Sequence, residues 1–166
     1  MNGFRTAAWI ALASVAGCDT GAPASVRAPA DSAAGEVPLE MAGVDGTAVL
    51  VAVHINGRGP FDFVLDTGAT VTCIDSPVAQ QLELPAEAGN LGFGADVSGT
   101  GRVQMVGIDS LRLGRALAAD LTACVLELEH IRALGIEADG LLGLDFLKQF
   151  HVAIDFDRGV LRLTAP

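Results

Sequence analysis

Basic residues are scarce in this chain of 166 residues. The chain has 10 lysines and arginines against 20 aspartates and glutamates, a formal net charge of -10 at pH 7, and Lys148 is its single lysine. Proteins that bind nucleic acids or anionic lipid surfaces neutralise phosphates with clustered basic side chains. The composition therefore argues against nucleic acid and against an anionic lipid surface as partners.

A long apolar run is also missing. The N-terminal run AAWIALASVAG, residues 7–17, is shorter than the about 20 apolar residues that a membrane-spanning helix needs. It follows Arg5 and ends in Val15-Ala16-Gly17-Cys18, as an export signal does. This ending resembles the lipobox of bacterial lipoproteins, which implies that residues 1–17 are removed and that Cys18 is lipidated. An ordinary secretory signal followed by a chance cysteine is the alternative.

On the lipoprotein interpretation, the exported chain begins at Cys18 and is lipid-anchored to the bacterial cell membrane, with its domain on the periplasmic side. Residues 18–36 are rich in Ala, Pro, Gly and Ser without a hydrophobic period, which is typical of a flexible tether. Asp-Thr-Gly-Ala occurs here, at Asp19–Ala22, and again at Asp66–Ala69. The first copy has no strand to hold its carboxylate, so we expect catalysis only from the second, in one domain of residues 37–166.

Cysteine is limited to three residues. With Cys18 assigned to the lipid, Cys73 and Cys124 remain, both in apolar, strand-like segments. In an oxidising compartment they can form a disulfide; two buried free thiols are the alternative, because the sequence does not give the Cα spacing. The chain has no CxxC pair and no His/Cys spacing typical of zinc sites, so we expect no metal and no cofactor.

From about Val37 onward, short apolar runs alternate with glycine, proline and aspartate, which is typical of an all-β domain. Residues 47–66 predict a hairpin with its turn at Asn56–Pro60, and residues 151–163 predict a closing hairpin. Ser76 as N-cap, followed by proline at the first helical position, predicts a short helix.

Residues 89–101 contain five glycines among thirteen residues. They match neither the P-loop nor the dinucleotide-binding pattern. A long Gly-rich excursion within a compact domain is typical of a lid over a site, and a solvated loop is the alternative. We assign Gly92, Phe93 and Gly94 to the part that covers a substrate.

The second Asp-Thr-Gly-Ala ends an apolar strand in FVLDTGATV. There Asp66 supplies a carboxylate, Thr67 a hydroxyl, and Gly68 a backbone that turns tightly with its N–H near the carboxylate. A buried carboxylate needs such hydrogen bonds or a shared proton. A strand-ending aspartate that caps its own turn produces the same triplet, so the triplet alone is a weak signal.

A second motif lies downstream in ADGLLGLDFL, residues 138–147. An apolar-Asp-Thr-Gly-Ala-Thr strand followed by apolar-apolar-Gly resembles the retropepsin-like aspartic proteases, including the bacterial ones. The resemblance implies an all-β fold, a single-lobe acid-protease closed β-barrel with one or two short helices. It also implies that Leu141, Leu142 and Gly143 form the ψ-loop strand that passes behind the catalytic turn.

The same resemblance implies an aspartic endopeptidase acting on a peptide or protein. Asp66, Thr67 and Gly68 would form the catalytic turn, and Ala69 would line the substrate site beneath the flap. Because the chain offers one credible catalytic aspartate, a homodimer with Asp66 from each subunit is implied. The paired carboxylates would share one proton, so that one activates water and the other stabilises the oxyanion.

The chain departs from viral-type retropepsins at two positions. Those enzymes pair an aspartate two positions after the triplet's glycine with an arginine just after apolar-apolar-Gly, and here these positions hold Thr70 and Leu144. The alternative function is a membrane-tethered, non-catalytic binding module with a retropepsin-like fold. Among the other carboxylates, we interpret Asp145 as a helix N-cap and Asp155 as part of the polar face of the closing hairpin.

Overall fold

The computed structural model describes residues 26–27, 35–96 and 99–166, with side chains for residues 35–86 and 103–166. The predicted signal peptide, the predicted lipidated cysteine and the first Asp-Thr-Gly-Ala lie outside the described residues. Within the described residues, no helix is both long enough and apolar enough to cross a bilayer.

Strands dominate the described chain, which also contains three helices of four to six residues. The strands are β1 (Val26–Arg27), β2 (Gly35–Ala42), β3 (Ala48–Ile55), β4 (Arg58–Leu65), β5 (Cys73–Asp75), β6 (Ala86–Asp96), β7 (Gly99–Leu113), β8 (Ala116–Leu126), β9 (Gly140–Leu142), β10 (His151–Asp155) and β11 (Val160–Thr164). The helices are α1 (Ser76–Gln81), α2 (Glu129–Arg132) and α3 (Leu144–Leu147). The predicted all-β class is confirmed.

Six strands close into a barrel in the order β3-β4-β9-β5-β8-β7, and pairing of β7 with β3 completes the ring. β9 lies between β4, to which it runs parallel, and β5, to which it runs antiparallel. β2, β11 and β10 extend the sheet from β3, while β6 extends it from β7. The predicted single-lobe closed β-barrel is therefore confirmed.

Alternating side chains on β3 show how the sequence fills the barrel. Val51, Val53 and Ile55 are buried, while Ala52 between them is exposed. Successive side chains of a strand point to opposite faces, so this pattern puts one apolar face into the core. Phe63 of β4 and Phe146 of α3, both fully buried, fill the same core.

The turn between β3 and β4 is made by Asn56 and Gly57, both with positive φ. Tight two-residue hairpin turns require such backbone angles, and Asn-Gly adopts them at little cost. The Asn56 side chain also accepts a hydrogen bond from the backbone N–H of Ser110 at 3.0 Å. The predicted hairpin over residues 47–66 is present, with β4 beginning at Arg58 rather than after the proline.

Helix α1 begins one residue earlier than the sequence suggests. Its N-cap is Asp75, which makes no side-chain capping bond, and Ser76 is its first residue. Asp75 does not cap because its carboxylate binds elsewhere, to Leu128 and Arg132. The proline falls in the first turn, where a missing N–H costs nothing.

The Gly-rich segment is paired rather than irregular over the described part of its backbone. β6 and β7 form an antiparallel hairpin in which Phe93 lies opposite Arg102 and Asp96 opposite Gly99. Antiparallel pairing satisfies backbone N–H and C=O groups that a loop would leave to water. Neither the lid nor the solvated loop expected from the sequence specified strands here.

The C-terminal hairpin, β10–β11 at residues 151–164, has one buried and one exposed strand. Leu161 and Leu163 of β11 are buried, whereas Val152 and Ile154 are 38% and 36% exposed. Val152 lies opposite Leu163 and Ile154 opposite Leu161, so these pairs share one face of the sheet. The apolar face thus continues past the margin of the core onto β10.

Candidate active site

Asp66 follows the last residue of β4, where its backbone and side chain are both fixed. Its N–H donates to the carbonyl of Leu142 on β9 at 3.1 Å. The N–H of Gly68 donates to Asp66 Oδ1 at 2.8 Å, and the N–H of Ala69 donates to the Asp66 carbonyl at 3.3 Å. The carboxylate is half-buried, while Thr67 and Gly68 are exposed. An oriented, solvent-accessible carboxylate can exchange a proton with a bound water.

The two glycines of Gly140-Leu141-Leu142-Gly143 allow β9 to pass behind this turn. A Cβ atom on Gly140 would lie 2.3 Å from Cε1 of Phe63, and one on Gly143 would lie 2.6 Å from the carbonyl carbon of Val71. Both distances are far below van der Waals contact, so only glycine fits at either position. Leu142 is buried in the core and Leu141 is half-buried.

Residues 66–72, called the Asp66 turn from here on, are also bonded to α3. The N–H of Leu144 donates to the Ala69 carbonyl at 2.8 Å, and the N–H of Asp145 donates to the Thr70 carbonyl at 3.1 Å. Thr70 and Leu144 stand where viral-type enzymes carry an ion pair. Here the carbonyl of Thr70 and the N–H of Leu144 take part in the backbone bonds that hold the Asp66 turn against α3.

Asp145 has a different role from the helix N-cap expected from the sequence. The N-cap of α3 is Gly143, and Asp145 lies inside the first turn. Its Oδ1 accepts hydrogen bonds from the N–H of Thr72 at 2.9 Å, from the Thr72 hydroxyl at 2.7 Å and from the N–H of Phe146 at 3.0 Å. The N-cap interpretation is therefore wrong, because the carboxylate is turned toward the Asp66 turn.

Cys73 and Cys124 are joined by a disulfide, with their Cα atoms 4.4 Å apart. They lie opposite each other in the parallel pairing of β5 with β8. The N–H of Cys124 also donates to the carbonyl of Thr72 at 2.9 Å. The disulfide therefore begins where the Asp66 turn ends and ties it to β8.

Asp75 carries a carboxylate that is only 1% exposed. Its Oδ1 accepts from the N–H of Leu128 at 3.1 Å, and its Oδ2 pairs with the Arg132 guanidinium. This hydrogen bond raises the pKa of the Arg132 guanidinium. Because both oxygens have partners, the carboxylate fixes the segment around α2 to β5.

Asp139, the remaining carboxylate near the second motif, joins β4 to the segment before β9. Its Oδ2 accepts from the N–H of Asp62 at 2.9 Å, and its own N–H donates to the Asp62 carbonyl at 2.7 Å. The described residues contain no group of three or more His, Cys, Asp or Glu side chains that could hold a metal ion.

The flap residues assigned from the sequence lie on β6. Gly92, Phe93 and Gly94 pair with Val103, Arg102 and Gly101 of β7. Their side chains lie outside the described part of the structure. Ala69, assigned to the substrate site, is half-buried within the Asp66 turn.

Sequence reasoning missed Thr72 as part of this site, and it also missed the buried carboxylate of Asp75 on β5. Thr72 is fully buried at the end of the turn, and its hydroxyl accepts from the N–H of Gly143 at 3.2 Å while donating to Asp145. The available signal was a polar residue within the apolar segment TVTCID, where a buried threonine needs partners. Which residues act as these partners depends on the fold and cannot be read from the spacing of residues in the sequence.

Comparison with known proteins agrees with this geometry. A model of the gag-polyprotein putative aspartyl protease family matches residues 51–149, more than half of the chain. The chain is also similar to the crystal structure of a retropepsin-like aspartic protease from Rickettsia conorii, at 20% identity and a TM-score of 0.52, covering 86% of this chain and 94% of that chain. No curated protein matches the chain. The chain belongs to the gag-polyprotein aspartyl protease family and has the retropepsin-like fold.

Proposed function

We propose that the protein is an aspartic endopeptidase that works as a homodimer, with Asp66 from each subunit at the site. The orientation of Asp66 carries this proposal. The Gly68 N–H holds one carboxylate oxygen, β9 holds the backbone, and the carboxyl group is still open to solvent. The match of the chain to an aspartyl protease family supports the same chemistry.

The chemistry requires a second carboxylate facing the first. When two such groups approach, both cannot ionise, so the pair holds one proton and titrates as a unit. The ionised member takes a proton from water, which attacks the peptide carbonyl, while the protonated member stabilises the oxyanion. A second copy of this chain supplies the second Asp66 by two-fold symmetry.

The exposed edge of the C-terminal hairpin supports assembly of two copies. β10 is the last strand in the sheet order, so its outer edge carries backbone groups unpaired among the described residues. Ile154 and Phe156 are 36% and 61% exposed. They line a surface depression of about 450 Å³ with neighbouring residues of the hairpin, namely Ala153, Asp155, Asp157, Val160 and Arg162. An open edge beside exposed apolar side chains is a surface that a second copy would cover.

The test is cleavage of a peptide library by the full-length chain purified in detergent, with products identified by mass spectrometry. Asp66→Asn is expected to abolish cleavage without changing thermal unfolding. Asp19→Asn is the matched control, because it makes the same change in the other Asp-Thr-Gly-Ala and should leave cleavage unchanged. Undiminished cleavage by Asp66→Asn would exclude the proposed mechanism.

The binding-module alternative makes a different prediction in the same experiment. A wild-type chain that folds, remains monomeric and cleaves no peptide from pH 3 to pH 8 would favour it. Mixing wild-type and Asp66→Asn chains gives a further test that distinguishes the dimeric protease from the binding module. If each active dimer needs two aspartates, excess variant should suppress wild-type cleavage by forming mixed dimers.

We also propose that Cys18 carries a lipid that anchors the exported chain to the bacterial cell membrane. The order of Arg5, the apolar run and Val15-Ala16-Gly17-Cys18 supports this. Metabolic labelling with radioactive palmitate in a bacterial host tests it. Wild type and Asp19→Asn should incorporate label, and Cys18→Ala should not. Equal labelling of Cys18→Ala would exclude the anchor.

A further inference from the structure

Asp145 makes an asymmetric set of hydrogen bonds. Three donors reach Oδ1, two of them from Thr72, while the buried Oδ2 has no hydrogen-bond partner among the described residues. A buried acceptor without a partner costs stability. All three bonds use a single oxygen, which an amide at this position would also provide, so they do not by themselves require a charged group.

Thr72 connects Asp145 to the Asp66 turn by hydrogen bonds. Its hydroxyl donates to Asp145 Oδ1 at 2.7 Å and accepts from the N–H of Gly143 at 3.2 Å. Its N–H donates to the same Oδ1 at 2.9 Å. The N–H and the hydroxyl of this buried threonine therefore hold the end of the Asp66 turn against α3 and β9, while its carbonyl accepts from the N–H of Cys124 on β8.

The rest of the turn follows from this anchor. The carbonyls of Ala69 and Thr70 accept from the N–H groups of Leu144 and Asp145. Ala69 in turn donates to the Asp66 carbonyl, and Gly68 donates to the Asp66 carboxylate. A shift of α3 against Thr72 would therefore move the donors that orient Asp66.

We infer that Asp145 is a positioning residue for Asp66, acting through Thr72; this rests on the proposed protease function. The side-chain connection between α3 and the turn runs through Asp145 and Thr72, while Thr70 and Leu144 connect the same segments by backbone bonds. Among the described residues, the side-chain hydrogen bonds of Asp145 go to Thr72 and Phe146 and none goes to Asp66. Its contribution is geometric, so an uncharged acceptor of the same shape should replace it.

Four variants of the full-length chain test this inference. Asp145→Asn retains an oxygen acceptor, whereas Asp145→Ala removes it and leaves the buried N–H of Thr72 without that partner. Thr72→Ser retains the hydroxyl, and Thr72→Val removes it at nearly constant volume. Each variant is assayed at a temperature at which its unfolding curve shows it fully folded.

Asp145→Ala and Thr72→Val are expected to lower kcat by about 10- to 100-fold, because small misplacements of catalytic groups have effects of this size. KM should stay within about twofold, since neither side chain is placed to bind the substrate. Asp145→Asn and Thr72→Ser should stay within about threefold of wild-type kcat, the expected result of conserving the hydrogen-bond geometry. In NMR hydrogen exchange, the Gly68 and Ala69 amides should exchange faster only in the two disruptive variants.

Two outcomes would overturn the inference. One is wild-type kcat together with wild-type exchange at Gly68 in a folded Thr72→Val or Asp145→Ala chain. The other is loss of kcat in Asp145→Asn equal to that in Asp145→Ala, which would make the charge decisive. If wild type cleaves no peptide, the proposed function fails, and amide exchange at Gly68 still decides whether Asp145 orders the turn.

Discussion

The Asp66 turn and the C-terminal hairpin differ in how many of their polar and apolar groups find partners within a single chain. Backbone groups throughout the turn bond to Leu142, Leu144 and Asp145 of the same chain. The hairpin instead exposes Ile154 and Phe156 at the open edge of the sheet. The geometry around Asp66 is thus set within the single chain. In the proposed function, a second copy of the chain completes the site.

This difference predicts two kinds of response to mutation. Changes that disrupt the packing or the hydrogen bonds of the turn should lower the stability of the single chain, because these groups are already packed and bonded within it. Changes at the exposed strand of the hairpin should leave the single chain folded and act on association. The predictions below test that division in order of expected effect.

Removing the disulfide should have the largest effect on stability. Cys73 and Cys124 are separated by 51 positions, and crosslinking a loop of that size stabilises by about 4 kcal/mol through the entropy of the unfolded chain. The double variant Cys73→Ala/Cys124→Ala should lose about that much unfolding free energy, measured by urea denaturation. A reducing agent should destabilise wild type and leave the double variant unaffected. Equal denaturation midpoints for wild type and variant would contradict this role.

Gly143→Ala should be the next most damaging change. The new Cβ would lie 2.6 Å from the carbonyl carbon of Val71 and 2.8 Å from the nitrogen of Thr72, both backbone atoms. Since neither can move without displacing the turn, we expect a loss of about 3 kcal/mol. Gly35→Ala is the matched control, because its Cβ meets only the flexible side chain of Arg115, at 3.4 Å. Similar unfolding midpoints for the two variants would contradict the steric argument.

The sequence was sufficient for features that depend on local pattern or on a recognised pair of motifs. The short apolar runs from about Val37 onward predicted strands, and the Asp-Thr-Gly and Leu-Leu-Gly motifs predicted the closed barrel. The strands of the Gly-rich segment were missed because glycine has low strand propensity, and pairing with β7 outweighs that propensity.

Long-range polar partners could not be predicted. Asp75 and Asp145 both precede or enter helices, where capping is the default expectation for an aspartate. In the folded chain, Asp75 instead binds Arg132, and Asp145 binds Thr72 across 73 positions of sequence. Which donor a buried carboxylate meets is set by the packing of distant segments, which residue spacing does not encode.

Ile154→Thr tests the prediction that the exposed strand of the C-terminal hairpin acts on association. Ile154 is 36% exposed, so the unfolding free energy of the single chain should change by no more than about 0.5 kcal/mol. The dimer dissociation constant, measured by analytical ultracentrifugation, should rise about tenfold, equivalent to about 1.4 kcal/mol. Leu161→Thr is the control, because Leu161 lies opposite Ile154 on β11 and is fully buried. This change should destabilise the single chain by about 2–3 kcal/mol. An unchanged dissociation constant for Ile154→Thr would place the dimer surface elsewhere.

The smallest effect is expected at Glu36, where β2 meets the C-terminal hairpin. Hydrogen bonds from Arg158 and then Arg162 lower the pKa of Glu36 from 4.5 to about 2. A carboxylate whose pKa is lower in the folded chain stabilises it above the unfolded pKa, and this contribution disappears as pH falls from about 4.5 to about 2. Wild type should therefore unfold at a higher temperature than Glu36→Gln at pH 7, and the difference should vanish near pH 2. Because all three side chains are substantially exposed, added salt should reduce the pH 7 difference. A constant difference between pH 2 and pH 7 would show that Glu36 acts by packing rather than by charge.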